Sequence, residues 1–241
     1  MDKETENELL ACHSFEAGLQ ILLRHTEKFG VRDIFFGFMA TPNAYARNAH
    51  VLATTFSDRL MDIYHAAGGV NRDPIAENLS TLSEPMFVDM EILIKGDEND
   101  KFSNSQFVHA CLDDGYTNSW SIPFSTFEEH GMGVVTFFQE TRVERPVIDP
   151  QILKQYALPF HQIMKEKGHL GSLLNLSKKE IQCLKDIAAG FTANDIANIL
   201  DVTPRTVEKW LQSARKKMKS KTSSEAIYKA TCFGVFNNLQ S

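Results

Sequence analysis

The chain has 241 residues, 43% of them hydrophobic and 23% charged, with a formal net charge of -6. That length and balance describe one or two globular domains with a proper buried core. They exclude collagen-like and disordered chains. No apolar run approaches the roughly 20 residues that a membrane-spanning helix needs. Cys12, Cys111, Cys183 and Cys232 stand far apart with no CxxC spacing, so neither a metal site nor a disulfide framework is expected. The opening MDKETENELL is acidic, so a signal peptide is not expected and the cytoplasm is the expected location.

The charge is unevenly spread. Residues 1–171 carry 14 Lys and Arg against 25 Asp and Glu, whereas residues 172–241 carry 11 against 6. Only the second part is therefore suited to meet a polyanion. The glycine- and serine-containing run KGHLGSLLN, 167–175, reads as a linker between domains at 1–166 and 176–241.

Residues 4–29 read as one amphipathic helix, with Leu9, Phe15, Leu19, Leu22 and Leu23 inward. Strands are expected at 31–39 and 51–56, a helix at 59–67, and another at 102–112. Strands at 118–124 and 133–138 follow, then a long helix over 147–167. Helices flanking both sides of an antiparallel sheet predict an α-β-α sandwich.

The last 70 residues read as four short helices, giving an α+β chain overall. Ser177 and Glu180 have capping-box spacing, and Gly190 stands where a helix ends in positive φ. Thr192 starts a second helix and Thr203-Pro204 a third after a turn at Asp201-Val202. Thr222 starts the fourth. Val207, Trp210, Leu211, Ala214 and Met218 form the buried stripe of the third. Two short helices around a tight turn predict a helix-turn-helix, with the second helix entering the major groove of double-stranded DNA. Its cap Thr203 and outward residues Arg205, Thr206, Glu208, Lys209, Gln212, Arg215 and Lys216 are the candidate DNA contacts. Arg and Lys suit guanine and Gln suits adenine, while Arg215, Lys216, Lys217, Lys219 and Lys221 suit phosphates.

The run L-S-K-K-E-I-Q-C-L-K-D-I-A-A-G-F-T-A-N-D-I-A-N-I-L-D-V-T-P-R-T-V resembles the LuxR-type DNA-binding domain over 174–236. Glu180, Leu184, Gly190, Ile196, Ala197, Thr206 and Val207 fall on its anchor positions. Trp210 stands where many members have histidine. The resemblance implies dimer contacts from the last helix, with Ala226, Ile227 and Lys229 as candidates.

The amino-terminal part resembles the acyl-homoserine-lactone sensors of the same regulators. Tyr64 precedes Asp73-Pro74 by Y-x8-D-P, Phe56 lies eight before Tyr64, and Pro85-x-x-Val88-Asp89 follows a P-x-x-W-D frame. Ser121-Ile122-Pro123-Phe124 and the strand through Thr136 resemble the family's strand pair. The resemblance implies a ligand pocket in which Asp73 accepts the ligand's amide N–H and Tyr64 and Thr136 donate to its acyl carbonyl. Two family tryptophans correspond to Leu60 and Val88 here, so the lactone carbonyl loses its usual indole donor. That loss is worth about 1–3 kcal/mol. Trp120 is a candidate to bring a ring near the pocket.

The expected function is a cytoplasmic, homodimeric transcription regulator of the LuxR quorum-sensing type. Its partners would be palindromic DNA, a small-molecule autoinducer and RNA polymerase, with no membrane, metal or cofactor. The alternative is a lactone-independent regulator governed by another ligand or a protein partner. An enzyme built on Asp113-Asp114, Glu128-Glu129 and His130 is disfavoured, because no nucleophile motif or phosphate loop accompanies them.

Overall fold

The structure, a computed structural model, describes residues 1–40, 50–73, 75–76, 82–94, 106–126, 131–140 and 148–237. Among the sequence expectations, Pro74, residues 102–105, Glu128, Glu129, His130 and residue 147 lie outside the described residues.

The helix expected over 4–29 is two helices, α1 (Lys3–Ala11) and α2 (Phe15–Thr26), followed by a 3-10 turn at Glu27–Phe29. The apolar spacing runs through the break, but Cys12 leaves the helix in extended conformation and Ser14 caps the next one, its hydroxyl accepting from the Ala17 N–H at 3.0 Å.

The sheet and its outer helices follow: β1 (Val31–Ala40), β2 (His50–Thr54), α3 (Asp58–Ala66), β3 (Met86–Asp89), α4 (Met90–Ile94), α5 (Gln106–Asp113), β4 (Asn118–Thr126) and β5 (Gly131–Gln139). The strands lie in the order β2-β1-β5-β4-β3, every neighbour antiparallel. β3 and α4 were not expected; four and five residues are too few to show a period.

Side chains alternate across the sheet. On one face Ile34, Phe36, Ile122, Val135 and Phe137 are fully buried with Phe15 of α2 and Phe160 of α6 (Pro150–Glu166). Phe15 packs 4.8 Å from Phe36 and 5.4 Å from Phe160, centroid to centroid. On the other face Phe35 and Phe138 meet Leu60 and Tyr64 of α3 and Phe107 of α5. The result is the α-β-α sandwich that flanking helices predict, joined to an all-helical second part.

The segment read as a linker is a packed connection. Gly168, in left-handed conformation at φ 69, ends α6, and a short helix α7 (His169–Ser172) buries Leu170 and Gly171. Beyond it lie α8 (Lys178–Ala188), α9 (Ala193–Leu200), α10 (Pro204–Lys217) and α11 (Ser223–Cys232). Ser177, Thr192, Thr203 and Thr222 each accept a backbone N–H at their helix starts. Asp201 takes φ 52 in the turn between α9 and α10, and Gly190 takes φ 94. Leu184, Ile196, Ala197, Val207 and Ala214 form a dry centre. Trp210, expected in the buried stripe, is half-buried, with the Lys179 ammonium 5.8 Å above its ring. Among the described residues, no helix is long and apolar enough to cross a membrane.

Candidate functional site

A cavity of ≈ 70 Å³ lies between the sheet and α3, α4 and α5. Its walls are mostly apolar, from Phe35, Val88, Met90, Phe107, Val108 and Phe138, with Tyr64, Asp73, Ser119 and Thr136 supplying polar atoms. A second space of ≈ 30 Å³ adjoins it and shares Phe35, Asp73, Ile75 and Thr136. Cavities of about 150 Å³ hold a benzene ring, so an acyl chain requires the walls to yield. Met86, Met90 and Leu93 line the cavity beside β3, and methionine is the side chain best able to do so.

The polar wall is organised by Asp73. The Tyr64 hydroxyl donates to one carboxylate oxygen at 3.0 Å, and the Ile75 N–H donates to the other at 2.9 Å. Burial, reinforced by the neighbouring carboxylate, pushes the Tyr64 phenol far above its ordinary range, so it remains a neutral donor. Across the cavity, Thr136 and Ser121 share a hydrogen bond of 2.9 Å, both buried. These groups can offer a carboxylate to a ligand N–H or O–H and hydroxyls to a carbonyl.

Tyr64, Asp73, Val88 and Thr136 are brought together on this cavity. Phe56 and Leu60 are buried in the same apolar cluster, behind the lining; Phe56 packs 4.7 Å from Phe138 and 6.1 Å from Phe107. Trp120 is placed on the opposite face of the sheet, against the cluster of α2 and α6, with its ring 5.0 Å from Phe87. Strand alternation decides this: Ser119 lines the cavity and Ser121, bonded to Thr136, shares its face of the sheet, so Trp120 between them cannot face it. Among the described residues its buried indole nitrogen has no hydrogen-bond partner. Ser119 could have been found from the same alternation. Ile75, Met86, Met90 and Leu93 carried no comparable signal.

In the second part, α10 exposes Arg205, Glu208, Lys209, Gln212 and Lys216 to solvent along one side. The Thr203 and Thr206 hydroxyls are engaged with each other at 2.9 Å in the helix cap. Arg215 is half-buried, its guanidinium donating to the Lys221 carbonyl at 3.4 Å. Lys217 differs from the phosphate role expected of it: its ammonium donates to Glu180 and to the Asn175 carbonyl, both at 2.8 Å. Burial works against the Glu180 carboxylate, but hydrogen bonds from Lys217, Ser213 and the Ser177 N–H outweigh it and hold the pKa low. Ala226 and Lys229, expected to face a second copy, are buried within the chain. Lys229 donates to the carbonyls of Met218 and Lys219 at the end of α10.

Among the described residues, no group of three or more His, Cys, Asp or Glu side chains is placed to hold a metal ion. Asp114 is paired with Arg59 and, through its carbonyl, with Arg32.

Comparisons with known proteins follow the same division. Comparison with curated protein sequences gives no match. The fold of the whole chain is that of Escherichia coli SdiA, at 16% identity and a TM-score of 0.54 over 97% of this chain and 96% of that one. SdiA in complex with octanoyl-rac-glycerol aligns at 15% identity and 0.54, covering 96% and 93%. CepR2 from Burkholderia cenocepacia, an N-acylhomoserine lactone dependent LuxR family factor, aligns at 16% and 0.48, covering 67% and 89%. The family described as bacterial regulatory proteins, luxR family, matches residues 174–230. The capped helices, the exposed face of α10 and this match make residues 174–230 a helix-turn-helix domain of the luxR family, carried on a chain with the fold of SdiA.

Proposed function

We propose that the chain is a homodimer that takes an acyl-homoserine lactone or a related small molecule beside Tyr64 and Asp73 and binds palindromic double-stranded DNA through α10. The observation that carries this reading is a mostly apolar cavity with a buried carboxylate–phenol pair, in the same fold as an exposed row of donors on a helix-turn-helix. The carboxylate accepts from the ligand's amide or hydroxyl, and the apolar walls take its tail. Arg205, Lys209 and Gln212 read base edges, and Lys216 meets phosphate. The protein works in the cytoplasm, contacts RNA polymerase when bound, and performs no catalysis.

A second reading removes the lactone. It is favoured by Leu60 and Val88, which are apolar where the resemblance has indoles, and by the absence of an indole among the described cavity residues. A buried lactone carbonyl left without a donor costs about 1–3 kcal/mol. In this reading the regulator responds to a different amphiphile; SdiA in complex with octanoyl-rac-glycerol is a precedent within the fold.

Both readings are tested by purifying the full chain from a host that makes no lactone, grown with and without a mixed lactone supplement, and capturing genomic DNA fragments. Palindromic fragments enriched only with the supplement are the expected result. Equal enrichment from both cultures favours the second reading, and no enrichment from either contradicts both.

A further inference from the structure

The segment after α11, residues 233–237, is seated on the sensor part. Phe233, the cap of α11, is fully buried, and its ring stands edge-on to Phe38 of β1 at 5.1 Å. Phe38 in turn stacks on His161 of α6 at 5.0 Å, and His161 lies tilted against Phe124 of β4 at 4.3 Å. The Asn237 side chain donates to the Lys165 carbonyl at 3.1 Å. Two glycines permit the approach, one from each side. A Cβ on Gly171 of α7 would stand 2.9 Å from the Val235 Cα. A Cβ on Gly234, which has φ 66, would stand 2.7 Å from the Lys165 carbonyl oxygen. Contacts below 3.0 Å against backbone force one part to move, so these positions specify the docked arrangement.

The same segment is tied to the DNA-reading helix. Lys229 of α11 donates to the carbonyls of Met218 and Lys219, which terminate α10, at 3.2 and 3.0 Å. Hydrogen bonds and packing thus run without a break from α6 through residues 233–237 and α11 to the end of α10. The exposed face of α10 lies free of this contact, since Arg205, Glu208, Lys209 and Gln212 remain in solvent. The contact therefore orients the reading helix without covering it.

We propose that Phe233–Asn237 is a positioning latch that fixes each DNA-reading domain on its own sensor part, and so fixes the half-site spacing that the dimer accepts. The inference rests on the dimeric, palindrome-binding reading above. Two reading heads on rigid mounts reach two half-sites together only at one separation, and simultaneous engagement typically multiplies affinity by about 10²–10⁴. Heads on loose tethers reach several separations.

The test uses the full chain, Phe233→Ala, and Gly171→Ala, which blocks the seat from the sensor side and leaves the DNA-binding domain untouched. Each selects binding sites from a random duplex library, and amide hydrogen exchange is followed at residues 233–237. The expected result is one half-site motif for all three proteins. Wild type returns a single spacing, while both variants exchange faster at 233–237 and return off-spacing sites at least ~10-fold more often. If Phe233→Ala does not fold, Gly171→Ala decides alone. A variant whose segment exchanges freely yet keeps the single spacing overturns the latch, as does one in which neither exchange nor spacing changes. A wild type that selects only single half-sites overturns the dimeric reading first, and the spacing role with it.

Discussion

The two faces of the sensor sheet are built from similar aromatic residues and pack differently. Against α2 and α6, Phe15, Phe36, Phe137 and Phe160 leave no exposed surface, and the same packing continues through Phe38 to Phe233. Against α3, α4 and α5, the aromatic rings of Phe35, Phe107 and Phe138 stop short of closing, and Asp73, Ser119, Ser121 and Thr136 bring polar atoms inside. Interiors pack to crystal-like density unless something is gained by not doing so. The closed face holds the chain together and mounts the DNA-binding domain. The open face leaves the cavity in which we propose a ligand sits. β1 belongs to both, with Phe35 on one side and Phe36 and Phe38 on the other.

Substitutions sharpen this contrast. The largest stability loss is expected on the closed face: Phe36→Ala should cost about 3–5 kcal/mol, read by urea unfolding, because the ring is buried on all sides. An equal cost for a residue lining the cavity would break the contrast.

Acidification comes next. Burial, helped by nearby Lys165, holds the His161 imidazole down to about 3. In the unfolded chain it takes up a proton near pH 6.5. Between these values the unfolded state binds more protons, so stability falls with falling pH, by up to about 1.4 kcal/mol per unit for this group. His161→Phe should flatten that dependence in unfolding curves recorded from pH 7 to pH 4; an unchanged slope would refute the assignment.

On the open face the balance between stability and response should invert. Tyr64→Phe removes the donor to the buried Asp73 carboxylate and should cost about 1–3 kcal/mol, with ligand affinity falling roughly 10–100-fold. Thr136→Val leaves Ser121 without its buried partner and should cost only about 1 kcal/mol of stability. Its ligand-dependent DNA binding should drop by more than its thermal midpoint suggests, in a paired titration and melting experiment.

What the sequence made legible was mostly local. Ser177, Thr192, Thr203 and Thr222 start helices through bonds within three residues of themselves, so the DNA-binding part could be read directly from its caps and turn. The sensor part depends on pairings between distant segments. Its continuous apolar spacing hid the break at Cys12–Ser14, and β3 was too short to carry a period. Trp120 was placed near the cavity by its chemistry, although the alternation Ser119, Trp120, Ser121 assigns it to the other face. Gly168 and Gly171 looked like linker residues. Gly168 does end a helix at positive φ, but Gly171 is required for close packing against Val235, a neighbour 64 positions later that no local pattern announces. The cavity residues Tyr64, Asp73 and Thr136, candidates for the ligand site, emerged from family spacing rather than from physics within their own segments.

The central claim is that the open face is the ligand site, and native mass spectrometry of the full chain tests it most directly. Wild type and Tyr64→Phe would be purified from a lactone-free host with and without the supplement. The account predicts one small molecule per wild-type chain, from the supplement or from the host's own amphiphiles, and strongly reduced occupancy in Tyr64→Phe. An empty wild type from both cultures, or a variant that keeps full occupancy, would contradict it.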